Sequence, residues 1–172
     1  LPFATEFFDA IVSIDAYQYF GTDVHYLGYL SRFLRPGGLV GIVVPGLMQP
    51  MDAVPEHLSM PQSNGKAFWE DDCWSFKTAD WWREHWGRNG SFSGLQVDTL
   101  ADGWRHWHDF EQILEATGKS VFPSYAEALA RDQGRYLGFV RAVARRTGGM
   151  GWNLYDPAIG AAVGVDKECD GA

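Results

Sequence analysis

Short apolar runs alternate along this chain with stretches of helical spacing. Phe8–Ile14 and Leu39–Val44 are continuous apolar runs, typical of strands buried on both faces of a parallel sheet. Between them, from Asp23 to Leu34, apolar residues recur at helical spacing and predict a helix. Arg35-Pro36-Gly37-Gly38 is expected to end that helix, because the residue before a proline is pushed out of the α region. The order strand, helix, turn, strand predicts a βαβ unit with parallel strands.

The second half of the chain has a weaker pattern. The segment from Leu47 to Lys77 lacks a clean period and is predicted to be a long loop or lid. Thr78 or Asp80 can cap a helix that ends at Gly87 or Gly90. The remaining predicted elements are a strand over 95–100, helices over 104–116 and 124–132, and a last strand over 136–145.

Composition narrows the class of protein. The chain has 172 residues, of which 46% are hydrophobic and eight are Trp, so it predicts one globular domain with large aromatic side chains to bury. The formal net charge of −8 argues against a surface that follows nucleic-acid phosphates. No apolar run is long enough for a membrane span. The expected partner is therefore a small molecule, with no nucleic acid and no membrane.

Location and domain limits follow from a few further features. Cys73 and Cys169 are expected to be reduced thiols in a cytoplasmic protein. The start of the chain has no basic region followed by an apolar one, so no signal peptide is predicted. Residues 1–146 are expected to form the folded part. Residues 147–172 are rich in Gly and Ala with an acidic end and predict a flexible tail.

Three stretches carry a resemblance to a known family. They are Leu1-Pro2-Phe3, then Phe8-Asp9-Ala10-Ile11-Val12-Ser13, then Phe33-Leu34-Arg35-Pro36-Gly37-Gly38. In this order and spacing they resemble the second half of class I S-adenosylmethionine-dependent methyltransferases, over roughly residues 1–146. The resemblance implies an α/β fold with a Rossmann-like sheet and helices on both faces. This chain would supply strands 4, 5, 7 and 6 of that sheet, and its last strand would be antiparallel.

The resemblance also implies that a part of the family pattern is absent. The family's first strand, its Gly-x-Gly-x-Gly cofactor loop and its ribose-binding acidic residue have no counterpart in this chain. The expected activity is therefore methyl transfer from S-adenosylmethionine to a small-molecule acceptor by a parent enzyme, with this chain incomplete and inactive alone. The alternative is a non-catalytic half-domain that associates through the exposed edge of strand 8–14. Half of a nicotinamide-dependent dehydrogenase is a third alternative, which an antiparallel last strand would disfavour.

Candidate site residues follow from the place of ligands in open α/β sheets, at the carboxyl ends of the strands. That rule, with the resemblance, assigns Asp15 and Tyr17 catalytic roles, Asp15 as a base or as the group that orients an amine. Asp15 could equally cap the following turn. Tyr17, Tyr19, Trp69 and Trp74 are the expected substrate contacts, although most of the Trp residues could instead form core. The expected cofactor contacts are Pro2, Phe3, Ser13, Ile14, Asp15 and Ala16.

Two further groups of polar residues are weaker candidates for a function. The Glu70-Asp71-Asp72 loop could attract a cationic substrate or simply be solvated. His106 and His108 suit metal ligation by residue type, but residues two apart on a helix do not share a face. The sequence therefore predicts no metal site.

Overall fold

The apolar runs of the sequence form one sheet. The structure is a computed structural model that describes residues 1–148, so the predicted tail lies outside the described residues from residue 149 onward. Two 3₁₀ turns, Tyr17–Tyr19 and Asp71–Ser75, join the regular elements. The strands are β1 (Phe8–Ile14), β2 (Leu34–Leu47), β3 (Lys77–Thr78), β4 (Phe92–Thr99) and β5 (Leu137–Arg146). The helices are α1 (Tyr26–Ser31), α2 (Glu56–Ser59), α3 (Ala79–Gly87), α4 (Gly103–Thr117) and α5 (Ala126–Asp132).

Strand order and direction confirm the predicted topology. The order is β1-β2-β5-β4, with the short β3 pairing on β2. β1 is parallel to β2, whereas β5 is antiparallel to both β2 and β4. This is the arrangement expected for strands 4, 5, 7 and 6, with the last strand of the chain antiparallel. That antiparallel strand argues against the dehydrogenase alternative.

The join between α1 and β2 differs from the prediction. The helix ends at Ser31, and β2 already begins at Leu34. Phe8 pairs with Leu34 and Ala10 with Leu39, so the Arg35–Gly38 stretch bulges out within the strand. Gly37 has φ +80°, a conformation that favours glycine. The Pro-Gly-Gly sequence therefore forms a bulge within the strand, whereas the sequence pattern indicated a turn before it.

One face of the sheet carries the main core. Val40, Ile42 and Val44 of β2 point to this face and are almost fully buried. Trp82 and Trp86 of α3 pack against them together with α1. The N-cap of α3 is Thr78, whose hydroxyl oxygen accepts the N–H of Trp81, as one of the two predicted caps. The Thr78 N-cap fixes the start of α3, and the spacing of its Trp residues turns the apolar side of the helix towards the sheet.

The opposite face is covered unevenly. Near one end of β5, Phe139 contacts Trp107 of α4, with ring centroids 5.4 Å apart. Towards the other edge, Val12 and Ile14 of β1 are 70% and 69% exposed. The expectation that strand 8–14 is buried on both faces is therefore wrong for the described residues. Within residues 1–148, β1 pairs only with β2 and is an edge strand, and the face of β1 that carries Val12 and Ile14 is open.

Two chain segments meet above the carboxyl ends of the strands. β4 runs parallel to β2, so residues 100–136 leave the sheet at the same edge as residues 48–76. The two segments, here called the cap, share a small core of their own. Its buried members are Leu58, Phe68, Cys73, Ala128 and Leu129, together with Leu137 at the start of β5.

Polar contacts join the two segments of the cap. Gln62 Oε1 accepts the N–H of Ala128 at 3.1 Å. His57 Nε2 lies 2.9 Å from an oxygen of the buried Asp132 carboxylate and donates to it. The predicted lid at 47–77 is thus bonded to α5 by hydrogen bonds between buried or half-buried groups.

Candidate functional site

The candidate site begins where β1 ends. Ser13 and Ile14 close the strand, opposite Ile42 and Val43 of β2. The N–H of Asp15 still donates to Val43 at 2.8 Å, but Asp15 itself has φ +53°. A left-handed Asp costs backbone energy, which places strain at the carboxyl end of a parallel strand. Ala16 then leads into the 3₁₀ turn Tyr17–Tyr19.

The two tyrosines of this turn have opposite environments. Tyr17 is only 1% exposed, and its ring lies 5.8 Å from both Trp82 and Trp86. Burial raises the pKa of its hydroxyl. Tyr19 is exposed. The expectation that both face an open cavity needs correction, because the structure places Tyr17 in the core and leaves only Tyr19 accessible.

The Asp15 carboxylate has a partner that the sequence analysis missed. The Gln18 side-chain amide donates to Asp15 Oδ1 at 3.3 Å. Partial burial raises the pKa of Asp15, while the hydrogen bond from Gln18 opposes that rise. A lone amide among aromatic residues, Tyr17-Gln18-Tyr19-Phe20, is the feature of the sequence that could have indicated Gln18.

Pro2 and Phe3 lie away from this edge. The Phe3 ring contacts Phe8, at the first residue of β1, with centroids 4.9 Å apart, and also Phe33 at 6.5 Å. The length of a strand, about 3.3 Å per residue, separates Phe8 from Ile14. The structure therefore does not bring Pro2 and Phe3 together with the group formed by Ser13, Ile14, Asp15 and Ala16.

Trp69 and Trp74 both belong to the cap but differ in exposure. Trp69 packs against the cap core, with its ring 6.5 Å from Phe76. Trp74 is exposed, and Lys77 Nζ lies 5.8 Å from its ring. The acidic loop 70–72 between them is exposed. Trp74 is thus the more accessible of these two candidate substrate residues.

His85 supports the turn that follows the site. Its imidazole is buried and its Nε2 lies 2.9 Å from the carbonyl oxygen of Gly21, so Nε2 carries the proton and donates. Burial lowers the pKa of His85. The neutral ring therefore holds the segment after Tyr17–Tyr19 against α3.

We expect the free energy of unfolding to fall as the pH drops below about 6.5, the unfolded pKa of histidine. The folded pKa of His85 is depressed, so its contribution is present above the unfolded pKa and is lost as the unfolded state gains a proton that the folded state does not. Urea unfolding of wild type and His85→Gln between pH 8 and 5 measures this difference. His106→Gln, at an exposed position of α4, is the control and should have the pH dependence of wild type. An identical pH slope for wild type and His85→Gln would contradict the prediction.

The described residues also bear on metal and membrane binding. Across residues 1–148, no three or more His, Cys, Asp or Glu side chains are grouped so that they could hold a metal ion. In the same range, no helix is both long and apolar enough to cross a membrane.

Comparisons with known proteins agree with the fold. No family model matches the sequence, and no curated protein matches it. Among solved structures, the chain is similar to phosphoethanolamine N-methyltransferase 2 of Haemonchus contortus bound to S-adenosyl-L-methionine (TM-score 0.57, 16% identity, covering 84% of this chain and 34% of that one). It is also similar to geranyl diphosphate C-methyltransferase of Streptomyces coelicolor A3(2) (TM-score 0.52, 18% identity, 86% and 49%).

A third similar structure is the [4+2]-cyclase SpnF (TM-score 0.55, 19% identity, 87% and 54%). The chain thus has the Rossmann-like fold of class I methyltransferases and spans between a third and just over half of the length of these three structures. Because SpnF is described as a cyclase, the shared fold does not by itself define the reaction.

Proposed function

We propose that this chain forms the acceptor side of an S-adenosylmethionine-dependent methyltransferase that acts on a small molecule. The observation that carries the proposal is the parallel end of β1 and β2, with the strained Asp15 directly after β1 and the cap above the same edge. Ligands of open α/β sheets bind at this edge. The methyltransferases described above support the proposal by their fold.

The residues at this edge suit the methionine end of the cofactor. Asp15 and the end of β1 offer acceptor oxygens, and within residues 1–148 the Asp15 side chain has one hydrogen-bond partner, Gln18. Such a group favours a cationic ammonium. We assign Ser13, Ile14, Asp15 and Ala16 to the cofactor and leave out Pro2 and Phe3, which lie near the other end of β1.

The chemistry needs alignment more than acid–base groups. When bound, S-adenosylmethionine supplies an electrophilic methyl group on a sulfonium. The chain's own part is to orient the acceptor and to exclude water. As the alternative to a cofactor contact, we propose that Asp15 orients an acceptor amine or accepts its proton, a role that its raised pKa suits. Exposed rings of Tyr19 and Trp74 offer π faces for a cationic or apolar acceptor.

Titration calorimetry with S-adenosylmethionine and S-adenosylhomocysteine tests this function. The chain is titrated alone and again after any coding sequence directly upstream of it has been joined to it. Binding only in the longer form supports the proposal. Tight binding by the chain alone means that the cofactor contacts are assigned wrongly. Absence of binding in both forms contradicts a methyltransferase function. We further propose a cytoplasmic location, in keeping with the buried thiol of Cys73, which forms no disulfide within residues 1–148.

The open face of β1 favours a second candidate function, association through this strand. Val12 and Ile14 expose an apolar strip on a strand whose outer edge is unpaired within residues 1–148, and such an edge is a ready template for pairing with another chain. In this alternative the chain is a non-catalytic half-domain that pairs with a second copy along strand 8–14.

We expect Val12→Lys to shift the chain from associated to monomeric species, because charged side chains on an edge oppose pairing. Sedimentation velocity over a range of concentrations measures the change. Val121→Lys, at an exposed site in the loop after α4, is the matched control and should leave the distribution unchanged. A monomeric wild-type chain, or equal effects of both variants, would contradict association through β1.

A further inference from the structure

Gln18 is a buried amide that is hydrogen-bonded at only one of its two ends within residues 1–148. Its side chain is fully buried, at 0% exposure. Nε2 donates to Asp15 Oδ1 at 3.3 Å, and this bond fixes which end of the amide faces the carboxylate. The other end, Oε1, is buried and has no hydrogen-bond partner among the residues that the structure describes. A buried carbonyl oxygen without a donor is destabilising compared with an apolar side chain of the same shape.

Gln62 offers a direct comparison within the same chain. It is also buried, but both ends of its amide are paired. Nε2 donates to the carbonyl of Lys66 at 3.3 Å, and Oε1 accepts the N–H of Ala128 at 3.1 Å. Gln62 therefore has the bonding expected of an amide that stabilises the fold, whereas Gln18 does not.

The residues near Gln18 in the sequence give no structural reason for an amide at this position either. Tyr17, the residue before Gln18, packs with Trp82 and Trp86, and within residues 1–148 the Gln18 amide has no polar partner other than Asp15. The one bond that the Gln18 side chain makes is directed at Asp15, the residue with left-handed backbone at the end of β1.

We infer that Gln18 is a positioning residue, whose amide holds the Asp15 carboxylate in a defined place at the carboxyl edge of β1 and makes no net contribution to stability. The bond from Gln18 leaves the other carboxylate oxygen of Asp15 to a donor group of a ligand. The consequence for methyl transfer rests on the proposed function, but the relation between Gln18 and Asp15 does not.

The test compares Gln18→Leu with Gln62→Leu in the full chain. Carbon-detected NMR titration of the Asp15 side-chain carboxyl gives its pKa, and thermal unfolding gives the midpoint temperature. Removing the Gln18 donor is expected to raise the pKa of Asp15 further, because the hydrogen bond to the charged form is lost. Gln62→Leu should leave the pKa of Asp15 unchanged.

The unfolding temperatures separate positioning from a structural role. We expect Gln18→Leu to unfold at the wild-type temperature or above it, and Gln62→Leu to unfold below it. An unchanged pKa of Asp15 in Gln18→Leu, or a loss of stability as large as that of Gln62→Leu, would overturn the inference. Neither readout requires ligand, so a failure of S-adenosylhomocysteine to bind would count against the proposed function alone.

Discussion

Trp82→Ala is expected to lower the free energy of unfolding by about 4 kcal/mol, as is typical for removing a large aromatic side chain from a core. Trp82 is fully buried, and its ring lies 5.8 Å from Tyr17 and 5.0 Å from Trp81. The indole fills the space between α3 and the turn that carries Gln18. Its loss would leave a cavity under the candidate site as well as weaken the fold.

Denaturant unfolding of three variants measures this effect. Trp82→Phe keeps most of the ring and removes an indole N–H that has no hydrogen-bond partner in the described part of the chain, so it should cost much less than the alanine variant. Trp74→Ala removes an exposed indole and should change the free energy of unfolding by less than about 1 kcal/mol. Equal losses for Trp82→Ala and Trp74→Ala would mean that the packing of α3 is described wrongly.

Asp132→Ala is expected to lower the free energy of unfolding by about 3 kcal/mol, because it leaves one buried and two half-buried donors without an acceptor. The Asp132 carboxylate accepts the N–H of Leu137 at 2.8 Å and that of Tyr136 at 3.0 Å. It also accepts the bond from His57. One side chain thus joins the end of α5, the start of β5 and the other segment of the cap.

Urea unfolding and limited proteolysis together test the role of Asp132. Asp132→Asn keeps one acceptor oxygen and should lose less stability than the alanine variant. Asp109→Ala, at an exposed position on α4, is the control and should stay within about 0.5 kcal/mol of wild type. Proteolysis of Asp132→Ala is expected to begin in residues 48–76. A loss below about 1 kcal/mol for the alanine variant would contradict this account of the cap.

The sheet was predictable where the pattern was local. The runs at β1 and β5 and the Thr78 cap of α3 follow from periodicity and from capping, which act within a few residues. The direction of β5 came from the family resemblance. The start of β2 was not predictable from helical spacing, because it depends on a pairing with β1. Leu34 pairs with Phe8, which lies 26 positions earlier in the chain.

The candidate site was predictable only in part, because its environment is set by distant segments. The place of Ser13 to Asp15 follows from the rule for strand ends. The burial of Tyr17 depends on α3, which lies more than 60 positions further along the chain. The cap likewise depends on contacts such as His57 with Asp132, which no local pattern indicates. The apolar character of Val12 and Ile14 predicted that they are buried. They are exposed because burial depends on which elements lie beside β1, and the local sequence does not show that.

The central claim is that the end of β1 binds the methionine end of S-adenosylmethionine. Amide chemical-shift mapping with S-adenosylhomocysteine, in the chain joined to any coding sequence directly upstream of it, tests this claim most directly. We expect the largest shifts at Ser13, Ile14, Asp15 and Ala16, with smaller ones at Gln18 and none at Phe110 on the far side of α4. Shifts confined to α4 and its following loop, or no shifts at saturating ligand, would contradict the claim.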